Sequence, residues 1–416
     1  MDPATLPSRA DLMRLDRDDP LAQYRDRFVL EEGLIYLNGN SLGALPRAAR
    51  SRAVEVVEQE WGLGLVRSWN RHGWVSLPER VGDRVAGLIG AEPGEVVVAD
   101  STSVNLFKLA AAAIRMRPGR SKIVSEPGNF PTDLYILQGL EGFLQGDVRL
   151  ETVPRDALAS HIDEDTALVV LTHVHYKSGE LFDMAAITAR AHEVGALMLW
   201  DLSHSAGAVP VDLNGVRADF AVGCGYKYLN GGPGAPGYLF VARRHLADFH
   251  QPLSGWFGHV EPFAMRDDYQ PADSIQRGLC GTPGVIGTAV MEVGVELQAS
   301  ADMTEIRAKS LRLGELFIQL VEAHCDGMGF ALASPRDSAR RGSQVSFTHE
   351  HAYPIMQALI ARNIIGDFRA PDILRFGFAP LYVRHVDIWD TVQALADIMV
   401  TREWDKPQFR QRSAVT

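Results

Sequence analysis

A single lysine directly precedes a stretch that is rich in glycine and proline. Lys227 lies between two tyrosines in the stretch GYKYLNGGPGAPGYLFV, residues 225–241. An amine of this kind can form a covalent bond with an aldehyde. Gly232, Gly234 and Gly237 also match the GxGxxG pattern of dinucleotide-binding proteins, but that pattern needs a helix right after the glycines to hold the pyrophosphate. The residues after Gly237 are typical of a strand, so no dinucleotide site is predicted.

Polar residues that follow two other apolar runs complement this lysine. Thr102 and Ser103 begin a predicted helix, and Asp201 directly follows the run ALMLW. Taken singly, the hydroxyl residues are ordinary helix caps, Asp201 could cap the next helix, and Lys227 would be a solvated surface lysine. Together they supply a helix N-terminus for a phosphate, a carboxylate for a ring cation and an amine for an aldehyde. Pyridoxal phosphate requires this combination.

The middle of the chain alternates between short apolar runs and helical patterns. This alternation predicts a mostly parallel sheet that is covered by helices on both faces. Ligands bind such sheets at the carboxyl ends of the strands, where Thr102, Asp201 and Lys227 all lie. The predicted strands are 95–99, 121–125, 167–173, 196–200, 219–223 and 237–242, and the predicted helices between them are 103–115, 132–145, 184–194 and 203–208.

The pattern changes after about residue 286, where long helices outnumber strands. This tail predicts a smaller α+β domain. Its predicted helices are 286–301, 304–324 and 386–403, and its predicted strands are 343–348 and 373–379.

Composition and charge narrow the class of protein. The 416 residues are 46% hydrophobic, which is enough for a sizeable core, and the formal net charge is −11. This acidic balance argues against nucleic acid or a membrane surface as a partner. The polar start of the sequence resembles no signal peptide, and no apolar run reaches the length of a membrane span.

Three widely spaced cysteines predict neither a disulfide framework nor a zinc site, and the pair His173 and His175 is more typical of a strand than of a metal site. We therefore expect a cytoplasmic protein without a bound metal.

Six motifs carry a resemblance to a known enzyme family. They are YLNGNSLGALP (36–46), NFPTD (129–133), DLSHSAGAVP (201–210), GYKYLNGGPG (225–234), GWFGH (255–259) and RFGFAPLY (375–382). Through them the chain closely resembles the kynureninase family, within class V of the fold-type I aminotransferase superfamily, over nearly its full length. The spacing from Asp201 to Lys227 indicates only the superfamily, whereas GYKYLN, WFGH and RFGFAPLY are much more specific.

The resemblance implies an α/β fold with a definite division. A mostly parallel seven-stranded sheet would form a large domain of the pyridoxal-phosphate-dependent transferase type, beside a smaller α+β domain. The implied bounds are 46–286 for the large domain and 287–416 for the small one, with an N-terminal segment, 1–45, that packs with the small domain and the active site. The implied assembly is a homodimer with shared active sites.

The resemblance also implies pyridoxal 5'-phosphate as the cofactor and gives roles to matched residues. Lys227 would carry the cofactor, Asp201 would face the pyridine nitrogen, and Phe130 would stack on the ring. Thr102 and Ser103 would hold the phosphate. The other matched positions are Asp133, Thr172 and His204 beside the ring, Tyr226 and Trp256 at the phosphate, and Thr282, which the neighbouring subunit would contribute to the phosphate site.

The implied reaction is the hydrolytic cleavage of L-kynurenine to anthranilate and L-alanine, a step of tryptophan degradation by the kynurenine pathway. Lys227 would remove the α-proton and Tyr226 would shuttle a proton. Arg375 would clamp the α-carboxylate of the substrate with its guanidinium, and His72 and Ser41 would lie near its aromatic ring and carbonyl. The sequence leaves open whether 3-hydroxy-L-kynurenine is also cleaved, to 3-hydroxyanthranilate, because one hydroxyl can depend on a single side chain.

Two alternatives share the predicted fold. A cysteine desulfurase or another class V enzyme would need a nucleophilic cysteine on a mobile loop, and Cys224, Cys280 and Cys325 do not lie in glycine- or serine-rich loops. A scaffold without cofactor is the second alternative. Every matched cofactor position keeps a chemically competent side chain, which favours an enzyme over a scaffold.

Overall fold

The structure, a computed structural model, describes residues 6–412. Residues 1–5 of the predicted N-terminal segment and 413–416 of the predicted small domain lie outside these described residues. The chain forms two compact units. The first contains the residues up to Arg47, the short segment Lys177–Leu181 and the residues from Ser300 onwards. The second contains Ala48–Tyr176 and Phe182–Ala299.

The strands and helices follow one another in chain order. The strands are β1 (Ile35–Tyr36), β2 (Val96–Ala99), β3 (Lys122–Ser125), β4 (Arg149–Thr152), β5 (Thr166–Thr172), β6 (Leu197–Asp201), β7 (Phe220–Cys224), β8 (Gly237–Val241), β9 (Ala331–Leu332), β10 (Gln344–Thr348), β11 (Ile364–Ile365), β12 (Asp367–Arg369) and β13 (Ile373–Gly377). The α-helices are α1 (Arg9–Arg17), α2 (Arg47–Glu55), α3 (Ser68–Arg71), α4 (Leu77–Leu88), α5 (Thr102–Arg115), α6 (Pro131–Phe143), α7 (Leu158–His161), α8 (Met184–Glu193), α9 (Val285–Ala299), α10 (Met303–His324), α11 (Ala352–Ile360), α12 (His385–Thr401) and α13 (Pro407–Arg410).

A seven-stranded sheet forms the centre of the second unit. Its strand order is β2-β8-β7-β6-β5-β3-β4, and only β8 runs antiparallel to its neighbours. Every residue of the central strands β5 (TALVVLT) and β6 (LMLWD) is buried. A strand covered on both faces needs such a continuous apolar run, and each face packs against its own hydrophobic cluster. The predicted mostly parallel sheet is confirmed.

The first unit is an α+β structure. Its main sheet is antiparallel with the order β12-β13-β10-β9, and β1 pairs in parallel with β11. The helices α10, α11 and α1 each pack on α12. Since α1 belongs to the N-terminal residues, the two ends of the described chain share this unit.

Two predictions about elements differ from the structure. The predicted helix 203–208 is wrong, because these residues form successive turns. Gly207 has a φ of +78°, and a right-handed helix cannot continue through that conformation. The predicted domain boundary at 286 differs from the division between the units at Ala299, because α9 packs against α4 and belongs to the second unit. Contact between the N-terminal segment and the active site stays a prediction.

Candidate active site

The start of helix α5 forms one wall of a cavity in the second unit. Ser101 caps this helix, since its backbone is extended and its hydroxyl accepts a hydrogen bond from Val104 N at 3.3 Å. Gly237, the first residue of β8, crosses directly in front of the helix start. A Cβ on this glycine would lie 2.9 Å from Thr102 N, so a side chain here would fill the space before the helix. The result is an open cradle of backbone N–H groups, which suits an anion.

Two buried carboxyl groups face each other in the same cavity. Asp133 lies in the first turn of α6 and Asp201 ends β6, and each side chain is 2% exposed. Burial and the neighbouring Asp201 raise the pKa of Asp133 well above its usual range. The raised pKa favours the protonated form of Asp133, so the pair suits one cationic group of a ligand.

A hydrogen-bond network fixes the two carboxyl groups. The Thr172 hydroxyl lies 2.5 Å from Asn129 Oδ1 and 3.3 Å from Asp133 Oδ2. Asp201 Oδ1 accepts a hydrogen bond from Ser203 N at 2.7 Å. Because these partners come from three different segments, the carboxyl groups have little freedom to turn away from the cavity.

Lys227 brings its amine to this cavity from the loop after β7. Its side chain is only 8% exposed, and Nζ lies 5.6 Å from the centre of the Phe130 ring and 5.9 Å from that of Tyr226. Burial, with Cys224 and Asp201 adding to it, raises the pKa of Tyr226. The phenol is therefore neutral at physiological pH and can donate a hydrogen bond.

The cavity has a volume of about 390 Å³. Eight of the residues predicted to bind the cofactor line it: Thr102, Ser103, Phe130, Asp133, Asp201, His204, Tyr226 and Lys227. An anion cradle, a buried carboxyl pair, an aromatic ring and a buried amine thus surround one space. These groups fit the phosphate, the ring nitrogen, the ring face and the aldehyde of pyridoxal phosphate.

Trp256 and Thr282 do not line this cavity. Trp256 packs against Phe257 and Phe263, with ring centres 4.5 and 5.5 Å away. Thr282 is exposed and lines a second cavity of about 360 Å³, which shares Asp100 and Gly234 with the first. Their predicted contact with the cofactor stays a prediction.

The three residues predicted to bind the substrate are divided between the units. His72 lies in the second unit at the end of α3, and its Nδ1 is 3.9 Å from Glu60 Oε1. Ser41 and Arg375 lie in the first unit, where Arg375 on β13 is 1% exposed and donates a hydrogen bond to Asp367. The guanidinium of Arg375 thus has a fixed carboxylate partner within its own unit.

Several residues of the site were missed by the sequence interpretation. Asn129 belongs to the quoted motif NFPTD, yet its role as the partner of Thr172 follows only from the fold. Ser203 contributes a backbone N–H, which its residue type does not reveal. Glu60 is buried and accepts a hydrogen bond from Trp74 Nε1 at 2.6 Å. Residue type alone did not distinguish Glu60 from Glu58, two positions earlier.

Residues 6–412 contain neither a metal-binding cluster nor a helix that could span a membrane. In that range no group of three or more His, Cys, Asp or Glu side chains is arranged to hold a metal ion. The helices there are all too short or too polar to cross a bilayer.

Comparisons with known proteins agree with the predicted family. A model of the kynureninase C-terminal domain matches residues 306–395. The chain is 54% identical to a kynureninase from Burkholderia pseudomallei (strain 1106a) over 414 residues, which cover 98% of this chain and 100% of the relative. It is 52% identical over the same coverage to a kynureninase from Pseudomonas fluorescens. The solved apo structure of a cysteine desulfurase from Thermococcus onnurineus NA1 has a TM-score of 0.77 and 20% identity, and covers 91% of this chain and 98% of that one. At this identity the likeness extends to the fold, and it confirms the predicted fold class.

Proposed function

The chain belongs to the kynureninase family, and we propose on that basis that it hydrolyses L-kynurenine to anthranilate and L-alanine with pyridoxal 5'-phosphate as cofactor. The observation that carries the proposal is the convergence of Lys227, the Asp133–Asp201 pair and the α5 helix start on one cavity. Each of these groups supplies a different feature that the cofactor needs.

The cofactor would be held at three places. The phosphate would bind at Thr102 and Ser103, where backbone N–H groups and hydroxyls converge at a helix N-terminus. The ring would lie against Phe130, with its nitrogen towards Asp201. Lys227 Nζ would bond covalently to the aldehyde carbon. We assign His204 and Thr172 to positions beside the ring, Thr172 acting through Asp133.

The bound cofactor supplies an electron sink for the charge that develops on the α-carbon of the substrate. Lys227 Nζ then has a second task, which is to remove the proton from that carbon as a general base. Its burial excludes competing water from the proton transfer.

Tyr226 is the proposed proton shuttle in the cleavage of the bond between the β- and γ-carbons. Water adds to the γ-carbonyl, and the collapse of the resulting hydrate expels anthranilate. Since the raised pKa of Tyr226 keeps its hydroxyl protonated, this residue enters the reaction as an acid. It would donate a proton to the side of the substrate that remains as alanine.

Recognition of the substrate is proposed for three residues. Arg375 would bind the α-carboxylate, and for this it must share its guanidinium with Asp367 or exchange one partner for the other. His72 and Ser41 would lie near the aromatic ring and the carbonyl of the substrate. Cleavage of 3-hydroxy-L-kynurenine is a second proposed activity of the same site.

A cysteine desulfurase activity is disfavoured by the state of the thiols. Burial raises the pKa of Cys280, and it raises the pKa of Cys325 to about 12. Cys224 is buried. A desulfurase needs an accessible thiolate, because the thiolate is the nucleophile.

We also propose that the protein works as a homodimer in the cytoplasm. The segment 56–66 exposes several large apolar side chains, an arrangement that suits burial against a second copy. They are Val57, Trp61, Leu63, Leu65 and Val66. The cysteines at 224, 280 and 325 are all unpaired thiols, which suits a reducing compartment.

The direct test is a product assay with purified protein and added pyridoxal 5'-phosphate. L-kynurenine should give anthranilate and L-alanine in equal amounts, measured by fluorescence and by amino-acid analysis. Parallel reactions with 3-hydroxy-L-kynurenine and L-cysteine compare kcat/KM for the second substrate and look for sulfide. Release of sulfide without cleavage of kynurenine would overturn the proposal.

A further inference from the structure

A fully buried lysine lies next to the helix start that is assigned to the phosphate. Lys108 is 0% exposed, and its Nζ donates hydrogen bonds to Asp100 Oδ2 at 2.5 Å and to Gly278 O at 2.7 Å. It does not itself line the cofactor cavity. An apolar side chain would fill this position at a lower desolvation cost, so a buried ammonium here calls for a function other than packing.

One partner of this ammonium controls the direction in which helix α5 begins. Asp100 connects β2 to the cap residue Ser101 and has a φ of +43°, which few residues other than glycine adopt. Its carbonyl oxygen accepts a hydrogen bond from Gly237 N at 2.8 Å. Asp100 therefore joins the helix start to the strand that passes in front of it, and Lys108 fixes its carboxylate.

The other partner belongs to the loop that carries Thr282. Lys108 bonds to Gly278 O and also to the side chain of Cys280. The carbonyl oxygen of Cys280 accepts a hydrogen bond from Phe257 N at 3.1 Å, next to Trp256. The ammonium thus links the helix start with both segments whose residues are assigned to the phosphate.

We propose that Lys108 is a positioning residue for the phosphate of the cofactor, because it fixes the turn 100–103 and the loop 278–282 relative to each other. The inference rests on the proposed function, in which Thr102 and Ser103 hold the phosphate, and on the prediction that Thr282 reaches the phosphate of the neighbouring subunit's site. Since Thr282 is assigned to the site of the partner subunit, one ammonium would join elements of two active sites. Lys108 touches neither substrate nor cofactor.

Lys122 provides a matched control in the same unit. Its Nζ is also buried and also bonds to one carboxylate and one carbonyl oxygen, Asp163 Oδ2 at 2.6 Å and His161 O at 2.8 Å. It stands at the first residue of β3, whereas the cofactor cavity lies at the carboxyl ends of the strands. Lys108→Met and Lys122→Met therefore both remove a buried ammonium from an ion pair, but only the first should disturb the phosphate.

The experiment measures the affinity of the full-length apo-proteins for pyridoxal 5'-phosphate and for pyridoxal, which lacks the phosphate. Lys108→Met should weaken the binding of pyridoxal phosphate by about tenfold or more, the factor expected for one misplaced charge-assisted hydrogen bond, with little change for pyridoxal. Lys122→Met should leave the ratio of the two affinities unchanged, even if it lowers the Tm. Equal losses for both ligands in Lys108→Met, or no loss, would overturn the inference.

Additional variants and ligands distinguish failure of this inference from failure of the proposed function. If Lys108→Met does not fold, Asp100→Asn removes the ionic partner while preserving its shape, and an unchanged affinity ratio in that variant overturns the inference. If the wild type binds no pyridoxal phosphate, the proposed function fails. Inorganic phosphate then tests the turn directly, and equal phosphate affinity in Lys108→Met and Lys122→Met would exclude a positioning role.

Discussion

Asp133 is hydrogen bonded to Asp201, although both residues are carboxylic acids and both are almost fully buried. Burial and the neighbouring Asp201 raise the pKa of Asp133, which favours its protonated form. Opposite a cationic ring nitrogen, such a pair neutralises a single positive charge. The two aspartates should therefore respond differently to the loss of their acidity.

Substitution by asparagine separates the two roles. Asp201→Asn removes the charge that is proposed to face the ring nitrogen, and we expect kcat to fall by about 100-fold or more with a smaller change in KM. Asp133→Asn keeps a hydrogen-bond donor, and we expect kcat within about threefold of the wild type. Steady-state assays of both variants, with Asp133→Ala as the control that lacks the donor, test this. A loss in Asp133→Asn as large as in Asp201→Asn would show that Asp133 acts as a charge.

Six of the seven strands in the large sheet, all except β4, could be predicted from the sequence, and so could the placement of Asp201 and Lys227. Buried strands in a parallel sheet are uninterrupted apolar runs, and the first polar residue after each run marks its carboxyl end. The pairing of Asp133 with Asp201 was not predictable, because it depends on the angle at which α6 meets the sheet.

The sequence was least informative about side chains whose partners are distant in the chain. Lys108 occupies an apolar stripe of α5, but only the fold reveals that the carbonyl oxygen of Gly278, 170 residues later, accepts a hydrogen bond from it. Arg375 was assigned to the substrate from its motif, and the antiparallel pairing of β12 with β13 brings Asp367 opposite it. Turns are harder to predict. Residues 203–208 were predicted to form a helix, and only the backbone conformation of Gly207 reveals that the helix cannot continue there.

Lys227 should be the single lysine that bonds to the cofactor. Borohydride reduction of the wild type with pyridoxal phosphate, followed by digestion and mass spectrometry, should label one peptide that contains this residue. Lys227→Ala should lose turnover completely and keep the fold, as judged by circular dichroism, because it removes both the covalent anchor and the base. Labelling of another lysine in the wild type would refute the assignment.

Cys325 should be inert towards alkylation in the native protein. Burial raises its pKa to about 12, so at pH 8 only about one thiol in ten thousand is a thiolate. Iodoacetamide should therefore modify Cys325 far more slowly in the native protein than in urea, which serves as the control. Rapid native labelling, read by mass spectrometry, would contradict the buried environment and revive the desulfurase alternative.

The stability of the folded protein at acid pH should depend on the buried carboxylate of Asp219. Burial opposes its ionisation, but hydrogen bonds from His192 and His245, at 2.8 and 2.7 Å, outweigh this and lower the pKa of Asp219. Because its pKa is lower in the folded state, ionised Asp219 stabilises the folded state at pH values above its unfolded-state pKa of about 4. This stabilisation is lost as the pH falls towards the folded-state pKa. Asp219→Asn should reduce the free energy of unfolding by about 3 kcal/mol at pH 7, and the difference should shrink below about pH 4.

Urea unfolding at fixed protein concentration measures this effect. The control is Asp165→Asn, whose carboxylate is partly exposed and pairs with Arg149 at 2.7 Å. We expect it to cost less than about 1 kcal/mol. A constant difference between Asp219→Asn and the wild type from pH 7 to pH 3 would show that the charge of Asp219 is not the source of the effect.

Hybrid dimers should reveal whether Trp256 and Thr282 serve the partner's site. Neither residue lines the cavity that contains Lys227 in its own chain, yet both are assigned to the phosphate. One parent is Lys227→Ala and the other carries Trp256→Ala with Thr282→Ala, and each should be inactive alone. If the sites are shared, a hybrid dimer has one site with an intact lysine and an intact partner loop, so mixing should restore up to about half of the wild-type activity per hybrid dimer.

The hybrid experiment depends on subunit exchange, which differently tagged parents and tandem purification establish. The purified hybrid is assayed with L-kynurenine, and each parent purified in the same way gives the background. An inactive hybrid with both tags present would mean that Trp256, Thr282 and Lys227 serve a site within one chain. In that case the cavity lined by Thr282 would have to open towards Lys227 across Asp100 and Gly234, the two residues that both cavities share.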